Sequence, residues 1–96
     1  MQRIKQVGAW FRREDYPAIK ALSPDDENLP DTFDEWLEIA DKQVKAQEAL
    51  GGAVEKVIVV PAEFAEWCKA SGLQPTGVTR AAFAVAKYSK QQAGNA

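Results

Sequence analysis

The sequence has no histidine and only one cysteine. The missing histidine removes the commonest general base, the usual partner of a serine or cysteine nucleophile, and the commonest metal ligand. A lone Cys68 can form no disulfide within the chain and no thiolate cage around a metal, which suits a reducing cytoplasm. Long apolar runs are also lacking. The longest, VIVVPA, is far too short to cross a bilayer, and the opening MQRIKQVGAWFRRED has no stretch suited to a signal peptide, so no membrane association is expected. Positive charge is not in excess either: Lys and Arg number 12 against 14 Asp and Glu, for a net charge of −2. Binding to a phosphate backbone would therefore need a local basic patch.

What is present is ordinary globular composition, 46% hydrophobic and 27% charged over 96 residues. That length supports one thin core, read as a single domain over 1–96 whose last residues, from about 92, form a frayed tail. Ile4, Val7, Trp10 and Phe11 suggest a first strand over Arg3 to Phe11. Tyr16, Ile19 and Leu22, with Pro17 in the first turn and Pro24 beyond the end, predict a short helix over Asp15 to Ser23. The stretch SPDDENLPDT is a loop. Thr32 and Glu35 then form a capping box, and Phe33, Trp36, Leu37, Ala40, Val44 and Leu50 recur near the helical period, predicting a helix over Phe33 to Leu50 closed by Gly51 and Gly52.

Val54 to Val60 is β-branched and apolar without alternation, the pattern of a strand covered on both faces. Pro61 suits the first position of a third helix, AEFAEWCKAS, in which Phe64, Trp67 and Cys68 share a face and Gly72 supplies the stop. Thr79 can cap a last helix, RAAFAVAKYSKQ. The expected fold is therefore α+β in the order β-α-α-β-α-α, a small two-stranded sheet packed by about four helices. The direction of pairing, parallel or antiparallel, is left open. Two strands make a marginal sheet, and a strand as apolar as VIVV should not keep an open edge, so helices must cover it or a second copy must extend it as a homodimer.

The chemistry-bearing residues each have a plain reading beside the functional one. Cys68, on an apolar face with Phe64, reads as a small buried hydrophobe rather than a nucleophile. Ser23, Ser71 and Ser89 have no G-x-S-x-G context, and Gly51 and Gly52 close a helix instead of following a strand as a phosphate loop does. No catalytic residue, cofactor or metal is expected. From Asp25 to Asp41 the chain carries eight carboxylates and no cation, among them Asp25, Asp26, Glu27, Asp34 and Glu38. DDENLPD lacks the alternating spacing of a calcium loop, so a solvated acidic face is the first reading of the segment, a docking surface for a basic protein the second and a cation site the third.

Opposite in sign are Arg3, Lys5, Arg12 and Arg13 near the first strand, and Arg80, Lys87 and Lys90 on the last helix. On a helical wheel Arg80, Phe83, Lys87 and Lys90 share one sector, while Ala81, Val85 and Tyr88 point the other way. Phe83 among cations could stack a base, but burial against a second subunit is the simpler reading. The aromatic pairs Trp10 with Phe11, Phe33 with Trp36 and Phe64 with Trp67 could line a groove, although a thin core needs them first.

At WFRREDY, FDEWL and VIVVPAEFAEWC the chain is similar to small uncharacterised bacterial proteins of about this length that carry a comparable IRREDY, YDEWL and VIVDPDEF pattern. The likeness covers most of the chain. It implies a self-contained bacterial cytoplasmic domain and no activity, cofactor or site, and Ala62 departs from the acidic residue of that pattern. The leading expectation is thus a non-enzymatic, self-associating protein-interaction domain. The candidate surface comprises Arg80, Phe83, Lys87 and Lys90 on the last helix, with Asp25, Asp26, Glu27, Asp34 and Glu38 in the acidic segment. One alternative is a nucleic-acid-associated regulator using Arg12, Arg13, Arg80, Lys87 and Lys90. The other is a small carboxylate-based enzyme or ligand binder.

Overall fold

The computed structural model describes residues 5–94, with side chains as far as Gln92. Arg3 and Ile4, assigned above to the first strand, lie outside the described residues, as do positions 95 and 96 of the tail. Strand β1 runs Lys5–Trp10 and a short 3₁₀ turn Arg13–Asp15 leads into helix α1, Tyr16–Leu22. Helix α2 is Phe33–Ala49, strand β2 Ala53–Ile58, helix α3 Pro61–Ser71 and helix α4 Gly77–Gly94. The order is the expected β-α-α-β-α-α, and the class is α+β.

The local signals account for most of these bounds. Thr32 Oγ1 accepts the N–H of Glu35 at 3.1 Å and donates to Glu35 Oε1 at 2.9 Å, so α2 starts on its capping box. Pro61 opens α3, and Gly72 ends it in the left-handed region at φ 68°, where glycine is unstrained. For α4 the expected cap is displaced: Thr76, not Thr79, stands at the N-cap. Thr76 Oγ1 accepts from the N–H of Thr79 at 3.2 Å, and Thr79 Oγ1 accepts from the N–H of Thr76 at 2.7 Å. The two threonines thereby make a reciprocal box, in which Thr79 plays the part usually taken by glutamate. At its far end the helix continues to Gly94, past the point where a frayed tail was expected.

Among the described residues the sheet has two strands, β1 and β2, paired in parallel with Lys5 beside Ala53 and Trp10 beside Ile58. The long α1–α2 crossover makes this pairing possible. Helix α4 packs on both strands, α2 on β2, α1 on α3, and α3 on α4. β2 is shorter than expected and its continuation alternates: Val57 and Val59 are buried, Ile58 and Val60 half-buried. Val59 donates its N–H to the Trp10 carbonyl at 2.8 Å. Parallel pairing repeats every second residue, so the main-chain groups of Val54, Lys56 and Ile58 face away from β1. At the end of that free edge the Ile58 carbonyl accepts from Lys87 Nζ of α4 at 2.9 Å, a helical side chain serving where a third strand would.

The buried residues form one cluster with two aromatic parts. In the first, the Trp36 ring lies 4.9 Å from Trp10 and 4.8 Å from Phe11, with Tyr16 and Phe33 alongside. In the second, Phe83 lies 5.6 Å from Phe64 and 5.5 Å from Trp67, joining α3 to α4. Cys68 is buried in the same cluster.

Candidate interaction surface

Helix α4 is turned about half a revolution from its expected setting. Arg80, Phe83 and Ala84 face inward, at 6%, 7% and 0% exposure, while Val85 is 49% exposed and Ala81 is open to solvent. Tyr88 alone of the outward trio is half-buried, its hydroxyl 3.3 Å from Lys5 Nζ. The inward setting follows from the size and reach of the side chains. Phe83 fills the space between Phe64 and Trp67, which no alanine of the opposite face could do. Arg80 and Lys87, in the same sector, end on polar partners, Asp26 and Ser23 for the first and the Ile58 carbonyl and Glu63 for the second.

Arg80 is therefore not part of a basic surface. Its guanidinium pairs with the Asp26 carboxylate and donates to Ser23 Oγ at 3.1 Å, and Ser23 in turn donates to the Pro75 carbonyl at 2.6 Å. This chain of bonds ties the loop after α1 to the start of α4. The Arg80 hydrogen bond holds the Asp26 carboxyl below its usual pKa against the opposing effect of burial. Phe83 likewise needs no second subunit to cover it.

Four of the eight carboxylates of the acidic segment, Asp26, Asp31, Asp34 and Glu38, have an ion pair among the described residues. Asp34 accepts from Arg13 at 2.8 Å, which lowers its pKa; Glu38 lies 3.5 Å from Lys42, and Asp31 3.3 Å from Lys20. Of the acidic candidates, only Asp25 and Glu27 are exposed and without an ion pair among the described residues. Among the described cations near β1, Lys5 pairs with Glu55 at 3.3 Å and Arg12 with Asp15 at 2.6 Å. The five cations assigned above to nucleic-acid contact do not form an uncompensated array: Arg80 is buried, and Arg12, Arg13 and Lys87 each face a carboxylate. Among the described residues no three His, Cys, Asp or Glu side chains gather into a metal-binding group.

Lys87 and Lys90 do meet at a surface feature, a groove of about 710 Å³ between α3 and α4. Trp67 and Ala70 from α3, with Phe83 and Ala86 from α4, make its apolar floor. Glu63 and Glu66 line the α3 bank, and Lys87 and Lys90 the α4 bank. Lys87 spans the groove to Glu63 at 3.0 Å, whereas Glu66 and Lys90 are exposed and have no ion pair among the described residues. Beyond Ala86 the outer side of α4 stays uncharged, through Ala82 and Val85 to Val78, which is 80% exposed.

The α3 half of this groove is missing from the candidate surface drawn from sequence. Its signal was there: Glu63, Glu66, Trp67 and Ala70 fall at helical spacings on one face, adjacent to the buried Phe64 and Cys68. Grouping Trp67 with those two residues placed it in the core, whereas it is half-buried with one side in the groove.

Two smaller clefts lie elsewhere on the described residues. One, of about 450 Å³, lies beside the Ser23–Asp26 loop and Thr76; the other, of about 460 Å³, lies against Trp10, Trp36 and Gly8 under α2. Among the described residues no helix is long and apolar enough to cross a membrane. No protein-family model matches the sequence, and neither the curated proteins nor the solved structures contain a match to it.

Proposed function

We propose that this chain is a non-enzymatic protein-docking domain whose binding surface is the α3–α4 groove, working in the cytoplasm of a bacterium. The observation that carries this reading is the composition of the groove. An aromatic and alanine floor between an acidic and a basic bank offers apolar area for affinity and charge of both signs for orientation, which suits the amphipathic helix of a partner protein. A lone buried Cys68 fits the reducing compartment.

Affinity capture from a lysate of the native organism tests the proposal, with the wild-type chain and Ala70→Arg as paired baits. Ala70 is exposed on the groove floor, so arginine there fills the groove without disturbing the core. The expected result is a partner retained by the wild type and lost by the variant. Equal retention by both baits, or none by either, refutes the assignment.

A further inference from the structure

Among the described residues strand β1 has one neighbour, β2, and its other edge is open. Val59 donates its N–H to the Trp10 carbonyl, so Gln6, Gly8 and Trp10 turn their main-chain groups toward β2 and those of Val7 and Ala9 point outward. No N–H or carbonyl of Val7 or Ala9 finds a partner among the described residues. Both residues are half-buried beside the cleft of about 460 Å³ that separates β1 from α2. We propose that this edge binds an extended, uncharged peptide segment of a partner protein, which joins β1 as a third strand and sets an apolar side chain in the cleft beside Gly8. The site is separate from the α3–α4 groove and does not depend on it.

Three observations select that occupant. The outward groups of Val7 and Ala9 alternate donor and acceptor at the strand repeat, an array matched by the main chain of another strand. Trp10 packs on Trp36 of α2, so by alternation Gly8 faces the cleft too, and a residue of the added strand level with Gly8 points the same way whichever direction the strand runs. Gly8 keeps that space free, since a Cβ at this position would stand 3.3 Å from Val54 Cγ1. Finally, no charged residue lines the cleft: Trp36, Ala40 and Val44 make its apolar wall and Gln43 and Gln47 its polar one. Lys56, on the same face, is held over the Trp10 ring with Nζ 4.4 Å from the centroid. The β1 of a second copy, added about a two-fold axis, would bring only Gln6, Gly8 or Trp10 to that side, and Trp10 is already packed on its own Trp36.

A phage-displayed library of random linear peptides, panned on the wild-type chain and on Ala9→Pro, tests the proposal. Proline is tolerated at an edge position whose N–H faces outward; it removes one donor and sets its ring where the added strand would lie, with the β1–β2 bonds untouched. Uncharged peptides with apolar residues at alternate positions should be enriched on the wild type alone. Once synthesised, they should bind Ala9→Pro at least about tenfold more weakly, and Val44→Glu, which puts a carboxylate in the cleft, should weaken them as well. In the wild type the amides of Val7 and Ala9 should exchange with solvent more slowly when the peptide is added. Circular dichroism checks the fold of each variant, and the exchange measurement needs no variant at all.

Failure to enrich any peptide overturns the proposal, as do peptides that Ala9→Pro binds equally well, or unchanged exchange at Val7 and Ala9. A two-chain mass in light scattering that Ala9→Pro abolishes, with no peptide bound, puts a second copy on the edge and overturns the occupant. Peptides lost with Ala70→Arg but kept by Ala9→Pro belong to the α3–α4 groove, so the two surfaces stand or fall separately.

Discussion

At its N-terminal end α4 holds Arg80 beneath the loop that follows α1, 6% exposed and bound to Asp26 and Ser23. Toward its C-terminal end the same helix carries Lys90 to the rim of an open groove, with no ion pair among the described residues. The two cations lie in one sector of the helix, and only their surroundings differ. A charge enclosed by partners stabilises the fold while they remain and costs heavily when one is lost. A charge at a solvated rim contributes little to folding and is free to choose a binding partner. Lys87 stands between them, its side chain 23% exposed and its ammonium shared by the Ile58 carbonyl and Glu63.

This contrast can be broken at several points. Arg80→Ala removes the only cation bonded to Asp26 among the described residues, and urea unfolding should show a loss of about 3–5 kcal/mol. Asp26→Asn leaves Arg80 bonded to Ser23 but without its carboxylate, for a loss of about 1.5–3 kcal/mol at neutral pH. The pH dependence of this second variant has a definite sign. The folded pKa of Asp26 lies below its unfolded value, so the wild-type advantage is fully present above the unfolded pKa. It fades as acid protonates the folded carboxyl. Thermal unfolding of the two proteins should therefore differ most near pH 7 and converge below about pH 4.

Smaller effects are expected further along the helix. Thr76→Ala deletes the acceptor for the Thr79 N–H and should cost about 1 kcal/mol in the same unfolding assay. Lys87→Met keeps the packed stem and loses both polar partners, again for about 1 kcal/mol. Lys90→Ala should change stability by less than about 0.5 kcal/mol in the same unfolding assay. A large loss of stability at Lys90, or none at Arg80, would collapse the distinction between the two ends.

The sequence was most legible where a signal and its target lie within one turn of each other. The Thr32–Glu35 box, Pro61 at the start of α3 and Gly72 at its end are contacts between near neighbours, and each stands where its spacing places it. The start of α4 was misplaced because either threonine satisfies a cap pattern; the reciprocal bonds choose Thr76. The interaction surface was half legible. Lys87 and Lys90 do line the groove, but Arg80 and Phe83 were taken for its surface because a wheel ranks residues by polarity and cannot weigh a buried arginine that has found an aspartate. Trp67 was lost to the opposite error, an aromatic assigned to the core when only part of it is covered.

The order of the elements, and their ends where a cap or breaker is unambiguous, are thus written in the chain itself, since capping, periodicity and chain breaking act over a few residues. The parallel pairing of β1 with β2, the facing of α4 and the meeting of Arg80 with an aspartate 54 residues away needed the tertiary structure. Each depends on which surfaces arrive opposite one another once the helices pack. Local preference is nearly neutral among those choices, and tertiary packing decides them, as the fit of Phe83 against Phe64 and Trp67 does for the facing of α4.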